Sequence, residues 1–352
     1  MTDVIVIGGG IAGVSAAARL APHAKVTLLE GEAALGYHAS GRSAALFEEN
    51  YGCASVVALN RASAAYHAPY LSPRGFLLVA RAGEDAAFDA DRKELASHEI
   101  SVEDARARVP ILNDRITRAA FHDSARDIDT DRMIQDFARL LRSHGGQIKT
   151  GARVTAIENG QEWAVRCGDQ DFFAHTVVNA AGAWADQVAI MAGITPIGIT
   201  PLRRSMARIP APMGHDVSRW PIFFGVGETW YAKPDAGKLL VSPADEDLVE
   251  PHDAWADEMV LAQGLDRYAQ HVTQAVTRVE TTWAGLRSFA PDRTLVLGPD
   301  PACPRFIWCA GQGGYGFQTA PAASQLVADL ACGRQPQVDP GIVQALSPSR
   351  FA

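Results

Sequence analysis

At 352 residues the chain is longer than one ordinary hydrophobic core, so two domains are expected. A formal net charge of −8 with no run of Lys and Arg argues against nucleic acid as a partner, and no apolar stretch is long enough to span a bilayer. Five scattered cysteines (Cys53, Cys167, Cys303, Cys309, Cys332) form no C-x-x-C pair, which leaves disulfides and a zinc site unsupported; with no leader-like segment before the first strand, a reducing cytoplasm is expected.

The chain opens on an apolar strand, Val4-Ile5-Val6-Ile7, followed by G-x-G-x-x-G at Gly8, Gly10 and Gly13. A small-residue helix through Leu20 follows, then a strand from Lys25 to Leu29 that ends on Glu30. This is the plan of a dinucleotide-binding unit. Gly8 permits the turn, Gly10 lets a pyrophosphate approach the backbone beside Ile11 and Ala12, and Gly13 lets the helix pack close. The helix N-terminus offers free N–H groups to phosphate, and Glu30 has the spacing of a ribose-binding carboxylate, with Gly31 after it. The motif alone leaves NAD and FAD open.

A loop of small and polar residues, Gly36 to Ser43, comes next, and its Arg42 is a candidate for phosphate or flavin contact. Phe76-Leu77-Leu78-Val79 reads as a strand. Ser101 and Asp104 read as the start of a helix that stops before Pro110. The acidic run Asp127 to Asp131 lacks the glycine and the final acid of a calcium loop, so no metal is expected. Thr130 is expected to cap a helix over 131–143 that ends at Gly145-Gly146. Strands are expected at 147–149, 154–157 and 163–167. A buried strand then opens onto Asn179-Ala180-Ala181-Gly182-Ala183-Trp184, a second close approach of backbone to cofactor. Trp230 to Lys233 and Lys238 to Val241 flank Pro234-Asp235-Ala236-Gly237 as a hairpin, and a helix is expected near 253–271. The chain closes on a strand at 306–310, the turn Gly311 to Gly316, and a helix through Leu330.

Nucleotide-type segments at the start, middle and end imply two domains interleaved in sequence. The expected class is α/β: a Rossmann-type domain built from 1–70, 126–196 and 284–352, and an α+β substrate domain on a largely antiparallel sheet, from 71–125 and 197–283.

Together these segments resemble the FAD-dependent amine oxidoreductases of the D-amino-acid oxidase, glycine oxidase and sarcosine oxidase superfamily, and within it the bacterial D-arginine dehydrogenases. Gly36-Tyr37-His38, Gly41-Arg42-Ser43-Ala44-Ala45, Arg203-Arg204-Ser205, Lys233 to Gly237, Trp283 to Phe289 and Gln312 to Gly316 carry that likeness. The resemblance implies FAD rather than NAD. It implies hydride removal from Cα of a D-amino acid, giving an imino acid that hydrolyses to a 2-oxo acid and ammonia, with a quinone or other unidentified electron acceptor. It also assigns roles by position. Arg204 and Arg287 hold the substrate carboxylate, as planar guanidinium groups suit, with Tyr231 and Tyr51 beside it as further catalytic candidates. Gly314 and Gln318 line flavin and substrate. The flavin site further includes Ala39, Ser40, Gly41, Ser43, Ala44, Ala45, Leu46, Val154, Ala181, Gly182, Trp184, Gly285, Gly313, Tyr315, Gly316 and Phe317. His38 is read as structural.

Two departures bear on substrate choice. Leu46 stands where the arginine enzymes have histidine, and Phe76 where they have a glutamate that pairs with the substrate guanidinium. Phenylalanine cannot neutralise a cation in a dry pocket, so preference is expected to move to apolar or aromatic D-amino acids. The competing reading has a nearby acid, Glu48 or Glu49, replace the lost carboxylate. Substrates of the glycine and sarcosine type are the further alternative. No cysteine lies between Trp283 and Ala290, where sarcosine oxidases tether their flavin ahead of a Pro-Asp like Pro291-Asp292, so the FAD is expected to be dissociable.

Overall fold

The computed structural model describes residues 2–352. Strand Val4–Ile7 is buried on both faces, as its unbroken run of β-branched residues requires. It lies inside a six-stranded sheet, between Thr176–Asn179 and Val26–Leu29. The full order is Val296–Pro299, Phe306–Ala310, Thr176–Asn179, Val4–Ile7, Val26–Leu29, Gln147–Lys149. All pairs are parallel except the first, so segments from both ends and the middle of the chain build one Rossmann-type sheet. Helices Ile11–Leu20, Thr130–Ser143 and Gly316–Ala331 cover one face through a core that includes Val14, Leu28, Phe137 and Leu326. Helix Ala185–Met191 and the antiparallel meander of Val154–Asn159, Trp163–Cys167 and Gln170–Ala174 cover the other.

A second, nine-stranded sheet is antiparallel but for one pair. Its longest partners are Thr200–Ile209 and Thr281–Phe289, aligned over nine residue pairs. From Thr200–Ile209 the sheet continues through Lys238–Ser242, Tyr231–Asp235, Ile222–Gly225 and Phe76–Arg81 to Ile116–His122. The expected boundary at 284 falls inside Thr281–Phe289, which belongs to this sheet along its whole length. We propose the interleaved two-domain division with that strand on the substrate side.

Local differences from the sequence reading have plain causes. The cap of Thr130–Ser143 is Asp129, whose carboxylate accepts from Arg132 N at 3.0 Å, and Thr130 sits one residue inside. The helix expected near 253–271 begins only at Glu258, capped by Asp257, because 253–257 form a loop tied to Arg42. Helix Ala54–His67 was hidden from its hydrophobic pattern. The face it buries carries Val56 and Leu59 but also Asn60, Ser63 and His67.

Candidate active site

The first helix starts at Ile11, and its N-cap, Gly10, offers no side chain to the first-turn N–H groups. A Cβ on Gly10 would meet only Ser40 Oγ, at 3.2 Å, so the space before this helix end is open. Gly8 is closed instead. Its φ is +104°, and a Cβ there would lie 2.4 Å from the Ala180 carbonyl oxygen. Glu30 is buried at the end of the second strand, where its Oε2 accepts from Gly9 N at 2.6 Å and its Oε1 from Glu32 N at 2.7 Å. The acid that closes the motif thus also braces the glycine turn.

Two cavities adjoin along a shared wall that includes Gly10, Ser40, Arg42, Ala180, Gly182 and Gly285. One runs past Glu30, Gly31, Val154, Ala181 and Trp184. The other runs past Ile11, Ala12, the 43–46 loop and the Gly313-Gly314 turn to the antiparallel sheet.

Sheet register explains what meets there. Arg204 lies opposite Gly285, two residues from Arg287 on the same strand, so both arginines project from one face as diagonal neighbours. Gly285 leaves room beside Arg204, against the Ala39 backbone. Counting across the sheet by twos puts Met206, Tyr231, Phe224, Ile222, Phe76 and His122 on that face as well. All of these but His122 line the cavity, together with Leu46 and Tyr51.

Arg204 is 8% exposed, and its Nη2 pairs with Glu246 at 3.2 Å while Nε and Nη1 have no partner. Glu246 is shared with Arg293. Arg287 makes no ion pair among the described residues. Burial works to lower its pKa, but the surrounding Tyr51, Tyr231, Glu228 and Glu246 more than offset this, and its guanidinium stays charged. Burial and nearby Glu228 raise the Tyr51 pKa above the ordinary value against the pull of Arg287 and Arg204, so this phenol stays protonated at neutral pH and makes a poor base. Two cations with unshared donors above an apolar wall make a site for a carboxylate carrying an apolar substituent.

The sequence profile of the DAO family, described as FAD dependent oxidoreductases, matches residues 3–330. The chain belongs to that family. It is 25% identical to the bifunctional protein ThiO/ThiG of Synechocystis over 99% of its own length and 54% of that protein's. It is 28% identical to the bovine FAD-dependent oxidoreductase domain-containing protein 1 over 44% of this chain and 35% of that one. The chain thus spans about half or less of the curated relatives it matches. Among solved structures, glycine oxidase of Geobacillus kaustophilus superposes with a TM-score of 0.85 at 20% identity, covering 99% and 98% of the two chains. L-proline dehydrogenase of P. horikoshii gives 0.83 at 22%, covering 99% and 97%.

FAD is therefore the cofactor, and the residues present fit it. The open space at Gly10 and the helix end, which no N-cap side chain closes though Ile11 N–H donates to Ser40 Oγ at 2.9 Å, suit its pyrophosphate, Glu30 borders the cavity on the nucleoside side, and the Gly313-Gly314 turn borders the side facing the arginines. Three residues expected to contact the cofactor stand outside both cavities. A Cβ on Gly13 would lie 1.8 Å from the Gly8 carbonyl oxygen, so this glycine serves helix–strand packing. Gly41 packs against the Gly36 carbonyl. Tyr315 packs its ring against Tyr51, with centroids 5.4 Å apart. Nor is the Arg42 guanidinium free for phosphate: it donates to the Ala254 and Ala284 carbonyls and pairs with Asp253 at 2.5 Å, tying the cofactor loop to the other domain. His38 hydrogen-bonds Glu32 at 3.0 Å.

Sequence reasoning missed Met206, Ile222, Phe224 and Glu228 in the wall of the second cavity. Ile222-Phe223-Phe224 is apolar throughout and buried on both faces, so no local pattern says which of its residues turn to the arginines; pairing with distant strands decides it. No group of three His, Cys, Asp or Glu among the described residues is placed to hold a metal, and no helix is long and apolar enough to cross a membrane.

Proposed function

We propose that this family member catalyses FAD-dependent oxidative deamination of D-amino acids, favouring apolar or aromatic side chains. One observation carries the reading: Arg287 and the free Nε and Nη1 of Arg204 converge, without a protein carboxylate to occupy them, over a wall of Leu46, Phe76, Met206, Ile222 and Phe224. The guanidinium pair holds the substrate carboxylate and so fixes Cα, with Tyr231 from the neighbouring strand beside it. The apolar wall takes the side chain and excludes water. FAD, when bound, supplies the two-electron acceptor for the Cα–H bond. No cysteine lines either cavity, which supports a dissociable FAD. The likeness to glycine oxidase raises glycine-type amines as rivals, but an enzyme for them has no use for so large an apolar wall. The preference for the D-isomer rests on the resemblance carried by Arg204, Tyr231 and Arg287.

Anaerobic mixing of the holoenzyme with D- and L-amino acids tests the reading through flavin bleaching. D-Leu, D-Phe and D-Met are expected to bleach faster than glycine, sarcosine or any L-isomer. Bleaching by L-isomers alone, or by none of the panel, sinks it. Acid precipitation should leave the yellow colour in the supernatant.

A further inference from the structure

Beside Phe76 lies a buried acid–imidazole pair that the reaction above does not use. Glu48 follows strand Leu46–Phe47 and lines the same cavity as the two arginines, yet it is only 2% exposed. Its backbone is held at both ends: the N–H donates to Gln318 Oε1 at 3.2 Å and the carbonyl accepts from Asn60 Nδ2 at 3.4 Å. Oε1 of its carboxyl accepts from Asn50 N at 3.1 Å. Oε2 lies 3.3 Å from His122 Nε2, close enough for an ion pair but without hydrogen-bond geometry, and neither atom has a hydrogen-bond partner. His122 sits directly opposite Phe76 in the sheet and stacks on it, with centroids 5.3 Å apart and planes 21° apart. Phe224 packs the Phe76 ring as well, at 4.4 Å.

We propose that Glu48, held against His122, is a specificity-determining residue of this site: with its carboxyl protonated the side-chain end is neutral and takes apolar substrates, and with it ionised it takes substrates bearing a terminal ammonium or guanidinium. The inference rests on the reaction proposed above. A neutral carboxyl that accepts from Asn50 N and lies against an uncharged imidazole sits in an apolar wall at modest cost, whereas a buried carboxylate without a counter-ion is expensive. A cationic side chain supplies that counter-ion, so its binding and the ionisation of Glu48 favour each other.

The surroundings set where the change falls. Burial pushes the Glu48 carboxyl up to about 7, helped by Glu49 and opposed by the Asn50 N–H and by Arg126. Burial also pushes His122 below the ordinary histidine value, against Asp123 and together with His98 and Arg126. Its Nδ1 is engaged with Ser124 Oγ at 2.8 Å, leaving Nε2 to the acid. The other charged groups of the cavity are Arg42, which is engaged with Asp253, Arg204, Arg287 and Glu228, with the tyrosines Tyr51 and Tyr231.

The test is the ratio of kcat/KM for D-Arg to that for D-Leu on the holoenzyme as pH is varied. Taking the ratio cancels the shared α-amine and flavin ionisations. It should rise by at least about tenfold between about pH 6 and about pH 9, across the range in which this carboxyl ionises. Glu48→Gln should flatten it. A ratio that is flat in the wild type, D-Arg turnover absent at every pH, or the same rise in Glu48→Gln overturns the inference while D-Leu oxidation leaves the reaction standing. The wild-type profile decides alone if that variant does not fold. Failure of every D-amino acid to bleach the flavin overturns the reaction and the inference together.

Discussion

The two ends of the site are built on opposite plans. At the nucleotide end, backbone does the work: a glycine turn, a helix end with glycine at its N-cap and Glu30 lie within thirty residues, and the side chains that matter are mostly those that are absent. At the arginine end, side chains do the work, delivered by strands far apart in sequence whose pairing puts Arg204 and Arg287 on one face. A site made of backbone tolerates no added atom. A site made of side chains fails one group at a time. Substitutions at the first end should therefore act on cofactor loading and folding, and at the second on substrate parameters with the flavin still in place.

Gly8→Val gives the largest expected effect. The φ of +104° strains any branched residue, by roughly 1–3 kcal/mol. The added Cβ also meets the Ala180 carbonyl oxygen at 2.4 Å, where backbone cannot yield. Against a typical total stability of roughly 5–15 kcal/mol, the expectation is little soluble protein and almost no flavin absorbance per chain. A soluble variant with a full complement of FAD would break the contrast.

Arg287→Ala comes next and should behave in the opposite way. Loss of one partner of a buried charge pair costs roughly 2–5 kcal/mol, so KM should rise by about 30-fold to more than 1,000-fold while FAD content is unchanged. Arg204→Ala should cost less, because Glu246 already occupies Nη2 of Arg204 and can turn to Arg293 when it is gone. Near-normal KM in Arg287→Ala would contradict the clamp. Loss of FAD in that variant would show that the two ends are not separable.

The same contrast decides what the sequence reveals. The nucleotide half is legible because each step from Val4 to Glu30 is a local rule: apolar run, glycine turn, small-residue helix, acid. The interleaved sheets are legible because nucleotide-type segments recur along the chain. Arg204, Tyr231 and Arg287 are ordinary strand residues in isolation, and only a resemblance singled them out. What stayed hidden depends on pairing between distant strands. Arg42 looks like a phosphate ligand until Asp253 and the Ala254 and Ala284 carbonyls arrive from the other domain. At Phe76 the counter-ion of the arginine enzymes is gone; the sequence offered Glu48 or Glu49 in its place, but the His122 that stacks on Phe76 and faces Glu48 comes from a distant strand.

The smallest expected effect sits where the two ends meet, at Gly313 and Gly314. These neighbours differ in what a methyl group would strike. On Gly313, with φ +52°, a Cβ would lie 2.4 Å from the Phe289 ring, so Gly313→Ala is strained and should lower thermal stability and flavin content. On Gly314 no left-handed backbone is involved, and the nearest atoms are Arg287 Nη1 at 3.2 Å and Cζ at 3.3 Å. That guanidinium is the far end of a flexible side chain and can give by a few tenths of an ångström. A misplacement of about 1 Å in a positioned group can cost on the order of 100-fold, so a shift this small should change kcat/KM by only a few-fold. Gly314→Ala should therefore keep its FAD and its melting temperature and raise KM modestly, a faint copy of Arg287→Ala. If it loses flavin instead, the boundary between the backbone-built end and the side-chain-built end lies on the other side of this residue.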